Sequence, residues 1–305
     1  MENLFLQELT RIIPQDQIKL KERMEYHTSL HIGGEADYFV TPADAEQIRT
    51  IIHICNEHKI PYYILGNGSN LLVSDEGYRG LIIKLGDDFA KVRIEEDGTV
   101  TAQAGILLSK LANEIARNGF TGFEFAAGIP GTLGGAVTMN AGAYDGEMKQ
   151  CITKASVMDE EGRILELSRD ELELGYRTSI LQKKSYIVLE AQVKLEKGDT
   201  QTIFDKIHEL NARRREKQPL EQYSAGSTFK RPQGYFAGKL ISDAGLRGYQ
   251  VGGAAVSEKH CGFMINKNNA TAKEFLALVD DVIRIVNEKF GVRLEPEVKF
   301  LGNFN

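Results

Sequence analysis

The sequence predicts an α+β fold, and three observations carry that prediction. Alternating apolar runs pair through tight turns, as in "KVRIEEDGTVTAQAG" around Asp97-Gly98 and in "KASVMDEEGRILELS". Helical periodicities interrupt these hairpins without the regular strand–helix alternation of a doubly wound sheet. Two uncharged, glycine-rich stretches, "GNGSN" (66–70) and "AGIPGTLGGAVTMNAGA" (127–143), each follow a strand-like or apolar run.

The elements follow in order. "TPADAEQIRTIIHICNEHKIP" reads as a helix: Thr41 caps, Pro42 takes the first helical position and Asp44 serves the free amides of the first turn. Ala45, Ile48, Ile51, Ile52 and Cys55 recur at helical spacing, and Pro61 ends the run. "YYILG" and "LLV" are strands on either side of "GNGSN", and "GLIIKL" is another. A helix is expected from about Ser109 to Gly119, before the second glycine-rich stretch. "SRDE" (168–171) is a capping box that should open a short helix, and "YIVLEAQVKLEKG" is a strand. A long amphipathic helix runs from about Asp199 to Lys217 and stops before Pro219.

Beyond it come a helix near 235–244, strands around 251–265 and a helix opened by "TAKE" (271–274). "RLEPEVKFLG" reads as a last strand, with Glu295, Glu297 and Lys299 on one face and Val298 and Phe300 on the other.

Composition narrows the function. With 42% hydrophobic and 26% charged residues the chain is an ordinary globular protein, and 305 residues suffice for two domains. A net charge of −6 argues against a nucleic-acid binder, whose footprint is a basic patch. The start, "MENLFLQELTRIIPQDQ", lacks the pattern of a signal peptide, and no apolar run approaches a membrane span. Cys55, Cys151 and Cys261 are few, odd in number and far apart, so no disulfide framework is expected. His260-Cys261 has no C-x-x-C or H-E-x-x-H to support it, so no metal site is expected either. The expected location is the cytoplasm, with no nucleic-acid partner and no membrane insertion.

The glycine-rich stretches admit two explanations: tight turns with close packing, or cradles for a diphosphate. Backbone amides in such turns bind phosphate oxygens without a cationic side chain. Neither stretch is a P-loop, and neither gives G-x-G-x-x-G opening a helix in a βαβ unit. Glycine density favours a ligand, because each glycine costs roughly 0.5–1 kcal/mol in ordered structure.

"ILGNGSNLLVSD" (64–75) with "AGIPGTLGGAVTMNAGAYDGEM" (127–148) resembles the flavin-binding domain of the vanillyl-alcohol-oxidase (PCMH) type. More narrowly, the chain resembles the UDP-N-acetylenolpyruvoylglucosamine reductase family of bacterial cell-wall synthesis. "GYRTS" (175–179), "GSTFKRP" (226–232) and "LEPEVKFLG" (294–302) extend the match over nearly the whole chain. The resemblance implies two flavin-binding subdomains, 1–86 (joined by the C-terminal segment) and 87–200, and a substrate-binding α+β domain, 201–305. It implies non-covalent FAD, held by Gly66, Asn67, Gly68, Ser69 and Asn70 of the first stretch. From the second, Gly128, Ile129, Pro130, Gly131, Gly134, Gly135, Asn140 and Gly142 would take part. "GNGSN" has no His or Cys for a covalent flavin link.

The implied reaction is the NADPH-dependent reduction of UDP-N-acetylglucosamine enolpyruvate to UDP-N-acetylmuramate. It needs a hydride at one carbon, a proton at the next and stabilisation of the charge between them. By resemblance Ser227 delivers the proton, while Arg177 and Glu297 bracket the substrate carboxylate. A planar, permanently charged guanidinium suits that carboxylate. Glu297 helps only when protonated or shared with a donor, since two bare carboxylates repel. Taken alone, Ser227 reads as a turn residue, Arg177 as a solvated cation and Glu297 as one position of a half-exposed strand.

Lys217, at the end of the Arg213-Arg214-Arg215 run, would meet the substrate diphosphate, although cations in a last helical turn also complement the helix dipole. Arg231, Tyr235 and His260 are further substrate-binding candidates. The tyrosine-bearing inserted loop of longer members has no counterpart, so the resemblance is to the shorter class. Among rivals, "STFK" (227–230) matches the S-x-x-K of penicillin-binding proteins, but S-D-N and K-T-G are missing. Another FAD-dependent oxidoreductase of the same fold and a non-catalytic flavin sensor are the remaining alternatives.

Overall fold

The structure, a computed structural model, describes residues 2–304, with side chains from Leu4 to Phe304. The outermost positions of the expected segments, 1 and 305, lie outside it. In chain order the first elements are α1 (Glu2–Ile12), β1 (Ile18–Arg23), β2 (Glu35–Val40), α2 (Ala45–His58) and β3 (Tyr62–Leu65). β4 (Leu71–Val73), β5 (Tyr78–Lys84), β6 (Val92–Ile94), β7 (Thr99–Gln103), α3 (Leu108–Arg117) and α4 (Leu133–Thr138) follow. Next come α5 (Met148–Cys151), β8 (Ile152–Met158), β9 (Ile164–Ser168), α6 (Ile180–Lys184), β10 (Ile187–Lys194) and α7 (Thr200–Lys217). The last are β11 (Tyr223–Ser227), α8 (Ala237–Asp243), β12 (Gln250–Val251), β13 (Ala254–Val256), β14 (Phe263–Asn266), α9 (Ala272–Phe290) and β15 (Lys299–Leu301).

These elements form two compact units. One comprises residues 1–20, 38–67 and 80–213; the other comprises 21–37, 68–79 and 214–305. The first unit is built on an antiparallel sheet in the order β9-β8-β10-β7-β6. Both expected hairpins are there, β6–β7 around Asp97-Gly98 and β8–β9. β3 pairs in parallel with β5, from Tyr62 opposite Leu81 to Leu65 opposite Lys84. One continuous core joins the sheets to the helices, with Phe5, Ile48, Ile51, Ile52, Leu111, Ile115 and Val137 fully buried.

The second unit has an antiparallel sheet in the order β11-β14-β13-β12, packed on α9 through Phe275, Leu278, Val279 and Val282. Residues 68–79 join this unit because β4 pairs in parallel with β15, Leu71 opposite Lys299 and Val73 opposite Leu301. The boundary near the end of the chain's middle falls inside α7, between Arg213 and Arg214. Asp75 follows β4 and accepts hydrogen bonds from the amides of Ala272 (2.7 Å) and Lys273 (3.0 Å) in the first turn of α9. The Thr271–Glu274 capping box forms as expected, with both reciprocal bonds present.

Three local expectations need correction. α2 is capped by Asp44, whose carboxylate accepts from the amide of Gln47 at 2.8 Å, so Thr41 and Pro42 precede the helix. The Ser168–Glu171 box closes, with Ser168 Oγ donating to Glu171 at 2.6 Å, but it opens only a turn. Glu173 then adopts a φ of +46°, which ends helical propagation. The final strand is short, and Phe300 is exposed.

All three cysteines are free and buried, and burial pushes the thiols of Cys55 and Cys151 up to about 12. Among the described residues no group of three or more His, Cys, Asp or Glu could hold a metal ion. No helix among them is long and apolar enough to cross a membrane.

Asp75 supplies a remote cap for α9. Asp75→Ala should cost about 1–2 kcal/mol, the scale of a lost helix cap, and lower the melting temperature by roughly 2–6 °C. Calorimetry of the two proteins measures this; an unchanged melting temperature would show that the Thr271 box alone suffices.

Candidate active site

In the first unit the two glycine-rich stretches meet. β3 ends at Leu65, and the chain turns at Gly66 against Thr132: a Cβ on Gly66 would lie 2.4 Å from Thr132 Oγ1. Asn67 is exposed and donates from Nδ2 to the Pro130 carbonyl at 2.7 Å. The amide of Leu108 donates to the Gly131 carbonyl at 2.9 Å, and the amide of Gly134 donates to Ala104 at 2.8 Å. Gly128 and Ile129 are half-buried, and the amide of Ile129 closes a turn onto Ala126 at 3.0 Å. Gly135 is exposed, and a Cβ there would meet only Thr132 Oγ1, at 3.8 Å.

This arrangement fits a flavin diphosphate. The carbonyls of Pro130 and Gly131, which would repel phosphate oxygens, are occupied by protein donors. Gly128, Gly131 and Gly135 carry no side chain there, and because the amides of Ile129, Leu133 and Gly134 are spent on the carbonyls of Ala126, Ile106 and Ala104, phosphate contacts would fall to other amides of the stretch.

Asn140 and Gly142 have tasks inside the protein. Asn140 is buried, and its Nδ2 donates to Glu147 Oε2 and to the Gly175 carbonyl, both at 3.1 Å. Its Oδ1 accepts from the amide of Lys149 at 2.9 Å. Gly142 stands opposite Glu147 in a two-residue strand pair. The Gly175 carbonyl that Asn140 holds opens the turn bearing Arg177. Gly175 and Thr178 exchange backbone bonds of 3.0 and 3.3 Å across that turn, and Arg177 has a φ of +54°. Left-handed backbone costs a non-glycine residue roughly 1–2 kcal/mol. The guanidinium of Arg177 lies 5.5 Å from the Tyr176 ring.

In the second unit, β11 ends at Ser227, which is exposed and pairs with Phe263. The next residue, Thr228, is buried: its carbonyl accepts from the amide of Glu297 at 2.8 Å, and its Oγ1 accepts from the amide of Met264 at 3.1 Å. Lys230 donates through its amide to the Glu295 carbonyl at 2.9 Å. "STFK" and "EPEV" therefore run side by side, and Glu297 is placed opposite Thr228, beside the Thr228–Phe229 peptide.

Asn70 braces the far side of Glu297. Its Nδ2 donates to the Glu297 carbonyl at 3.1 Å, and its own carbonyl accepts from the amide of Lys299 at 3.0 Å. Gly68 and Ser69 lie in the same turn, where the Gly68 carbonyl accepts from the amide of Ser29 at 3.2 Å.

His260 completes this group. Its Nδ1 accepts from the amide of Gly262 at 3.1 Å, which leaves the ring proton on Nε2 as a donor. Burial, with a further push from Arg247, holds its pKa below the ordinary value, so the ring is neutral at pH 7. Gly262 separates the two side chains: a Cβ there would sit 2.9 Å from His260 Cε1 and 3.5 Å from Ser227 Oγ. Lys217 is exposed at the end of α7; Arg231 stacks on Phe236 at 4.0 Å, and Tyr235 is exposed on the same loop.

The structure thus joins Gly66 and Asn67 to Pro130–Gly135 in one unit, and Asn70, Ser227, His260 and Glu297 in the other. Sequence patterns alone missed Thr228, Gly262 and Gln182, whose roles are to hold neighbouring backbone.

The comparisons agree with this geometry. Residues 36–168 match the family model described as FAD binding domain. Residues 218–301 match the one described as UDP-N-acetylenolpyruvoylglucosamine reductase, C-terminal domain. The chain is 57% identical over 305 residues to the UDP-N-acetylenolpyruvoylglucosamine reductase of Lachnoclostridium phytofermentans, covering 99% of this chain and 98% of that one. The crystal structure of the corresponding Thermus caldophilus reductase superimposes with a TM-score of 0.78 at 35% identity, covering 93% and 98% of the two chains. p-Cresol methylhydroxylase shares the fold, with a TM-score of 0.50 at 19% identity over 65% of this chain and 44% of that one. With matches of this length and identity, the chain belongs to the UDP-N-acetylenolpyruvoylglucosamine reductase family.

Proposed function

We propose that Ser227, Arg177 and Glu297 carry the chemistry of a reductase acting on UDP-N-acetylglucosamine enolpyruvate, with NADPH as electron donor. The enzyme is an FAD-dependent oxidoreductase of peptidoglycan synthesis. The observation that supports the residue roles is the bond from the Glu297 amide to the Thr228 carbonyl, which pairs the Glu297 segment with the residue that follows Ser227.

FAD, when bound, would supply the hydride for the enolpyruvyl double bond, with NADPH as its reductant. The protein's residues handle charge and proton. Arg177 pairs with the substrate carboxylate as negative charge builds on it, and a guanidinium does so in bidentate fashion. Glu297 stabilises the same charge as a hydrogen-bond donor in its protonated form. Ser227 Oγ gives its proton to the carbon next to the hydride acceptor, completing the saturated lactyl ether. A hydroxyl is a weak acid in water, but a carbanion-like carbon is a strong enough base to draw its proton. Gly262 keeps the side of Ser227 that faces His260 clear.

Lys217, Arg231, Tyr235 and His260 bind the remainder of the substrate in this reading. Residues 1–86 and 87–200 are assigned to flavin binding and 201–305 to substrate binding. The enzyme acts in the cytoplasm.

Two substitutions separate cofactor binding from proton transfer. A Cβ on Gly135 has no protein atom nearer than Thr132 Oγ1, at 3.8 Å, so Gly135→Val should fold yet carry little FAD. The absorption spectrum of the purified protein measures this; wild-type flavin content would remove Gly135 from the cofactor surface. Ser227→Ala should leave FAD content and reduction by NADPH near wild type. Reoxidation by the enolpyruvyl substrate should slow by roughly 10²–10⁴-fold, the effect of losing a positioned general acid. Ser227→Cys should retain more activity than Ser227→Ala, because a thiol donates the same proton. Stopped-flow absorbance resolves the two half-reactions. Reoxidation of the Ala variant at the wild-type rate would make Ser227 a turn residue only.

A further inference from the structure

We infer that Asn140 and Gln182 are positioning residues that fix the direction of the Arg177 guanidinium; this rests on the assignment of Arg177 to the substrate carboxylate. Arg177 sits third in the four-residue turn Gly175–Thr178, at a φ of +54°. That position of a turn with positive φ usually holds glycine or asparagine. The turn's own bonds are 3.0 and 3.3 Å, the second one long. A long side chain on such a turn needs outside support to point one way.

Two side-chain amides supply that support, one to each relevant carbonyl. Asn140 Nδ2 donates to the Gly175 carbonyl at 3.1 Å, and Gln182 Nε2 donates to the Arg177 carbonyl at 3.2 Å. Both amides are rooted in the same place. Gln182 Nε2 also donates to the Thr138 carbonyl, at 3.1 Å, where α4 ends. Ser179 Oγ, fully buried, donates to that same carbonyl at 2.6 Å. Asn140 lies two residues beyond Thr138, with a φ of +43° that turns its amide toward Gly175.

Asn140 has little capacity left for a ligand. Nδ2 serves Glu147 and Gly175, Oδ1 serves Lys149, and the residue is 2% exposed. α4 itself begins in the second glycine-rich stretch, at Leu133. The helix that carries Gly134 and Gly135 and the turn that carries Arg177 are thereby one bonded assembly. A shift of either would displace the guanidinium, and misplacement of about 1 Å can cost a hundredfold in rate.

The test compares Asn140→Ala and Gln182→Met, each made in the wild-type and in the Arg177→Ala protein. FAD content and reduction by NADPH should stay near wild type in both. Reoxidation of the reduced holoenzyme by UDP-N-acetylglucosamine enolpyruvate should slow by roughly 10- to 100-fold. In the Arg177→Ala background the same changes should add almost nothing, because the group they act through is gone. As a readout independent of turnover, the Arg177 Nε–H NMR signal of the oxidised holoenzyme should shift or broaden in Gln182→Met. Wild-type reoxidation rates in both variants, or a full additional loss on top of Arg177→Ala, would overturn the inference. If Asn140→Ala does not fold, Gln182→Met decides the question by the same criteria. Arg177→Ala reoxidising at the wild-type rate would instead sink the assignment of Arg177.

Discussion

A side chain at position 66 would leave Thr132 no room, and on that close approach the first unit depends. With Gly66 in place, Asn67 reaches the Pro130 carbonyl and the second glycine-rich stretch is held against the end of β3. The carbonyls of Pro130 and Gly131 both find donors in the protein. The same stretch continues into α4, whose last carbonyl is held by Ser179 and Gln182. The second glycine-rich stretch and the Arg177 turn therefore share one scaffold.

The second unit solves a different problem, that of pairing the segment after Ser227 with the segment that carries Glu297. The backbone of Glu297 is held by Thr228 and Asn70, and Ser227 ends a strand paired with Phe263. Thr228 is buried and bonded to Gly262, Met264 and Glu297, so the peptide next to Ser227 is fixed from three directions. Asn70 holds the chain on either side of Val298. Fixing the backbone in this way sets where the side chains of these two segments start from.

Much of this was legible in the sequence. Hairpins announced themselves through Asp97-Gly98 and alternating patterns, and the helices through apolar spacing and the Thr271 box. Local rules failed where a neighbour in space overrode them. "SRDE" has the bonds of a capping box, but the chain reverses at Glu173 before a helix can grow. "RLEPEVKFLG" alternates like one strand, yet its first half is committed to Phe229 and Thr228, and only Lys299–Leu301 pairs with β4. The structural duties of Asn70 and Asn140 were illegible for the same reason. An asparagine in a glycine-rich loop has one composition whether it faces a ligand or a remote carbonyl.

The parallel pairing of β4 with β15 has a consequence for how the chain is made. Leu71 and Lys299 are partners separated by more than two hundred residues. At roughly 5–20 residues per second of synthesis, β4 waits on the order of 10–45 s for its partner to exist. Asp75 waits almost as long for α9. Leu30, Ile32 and Leu72, which are buried in one cluster with residues from Ala225 onward, thus stay uncovered until the last part of the chain emerges. Such long-range closure makes a slow, late folding step, during which those residues are open to chaperones and to aggregation.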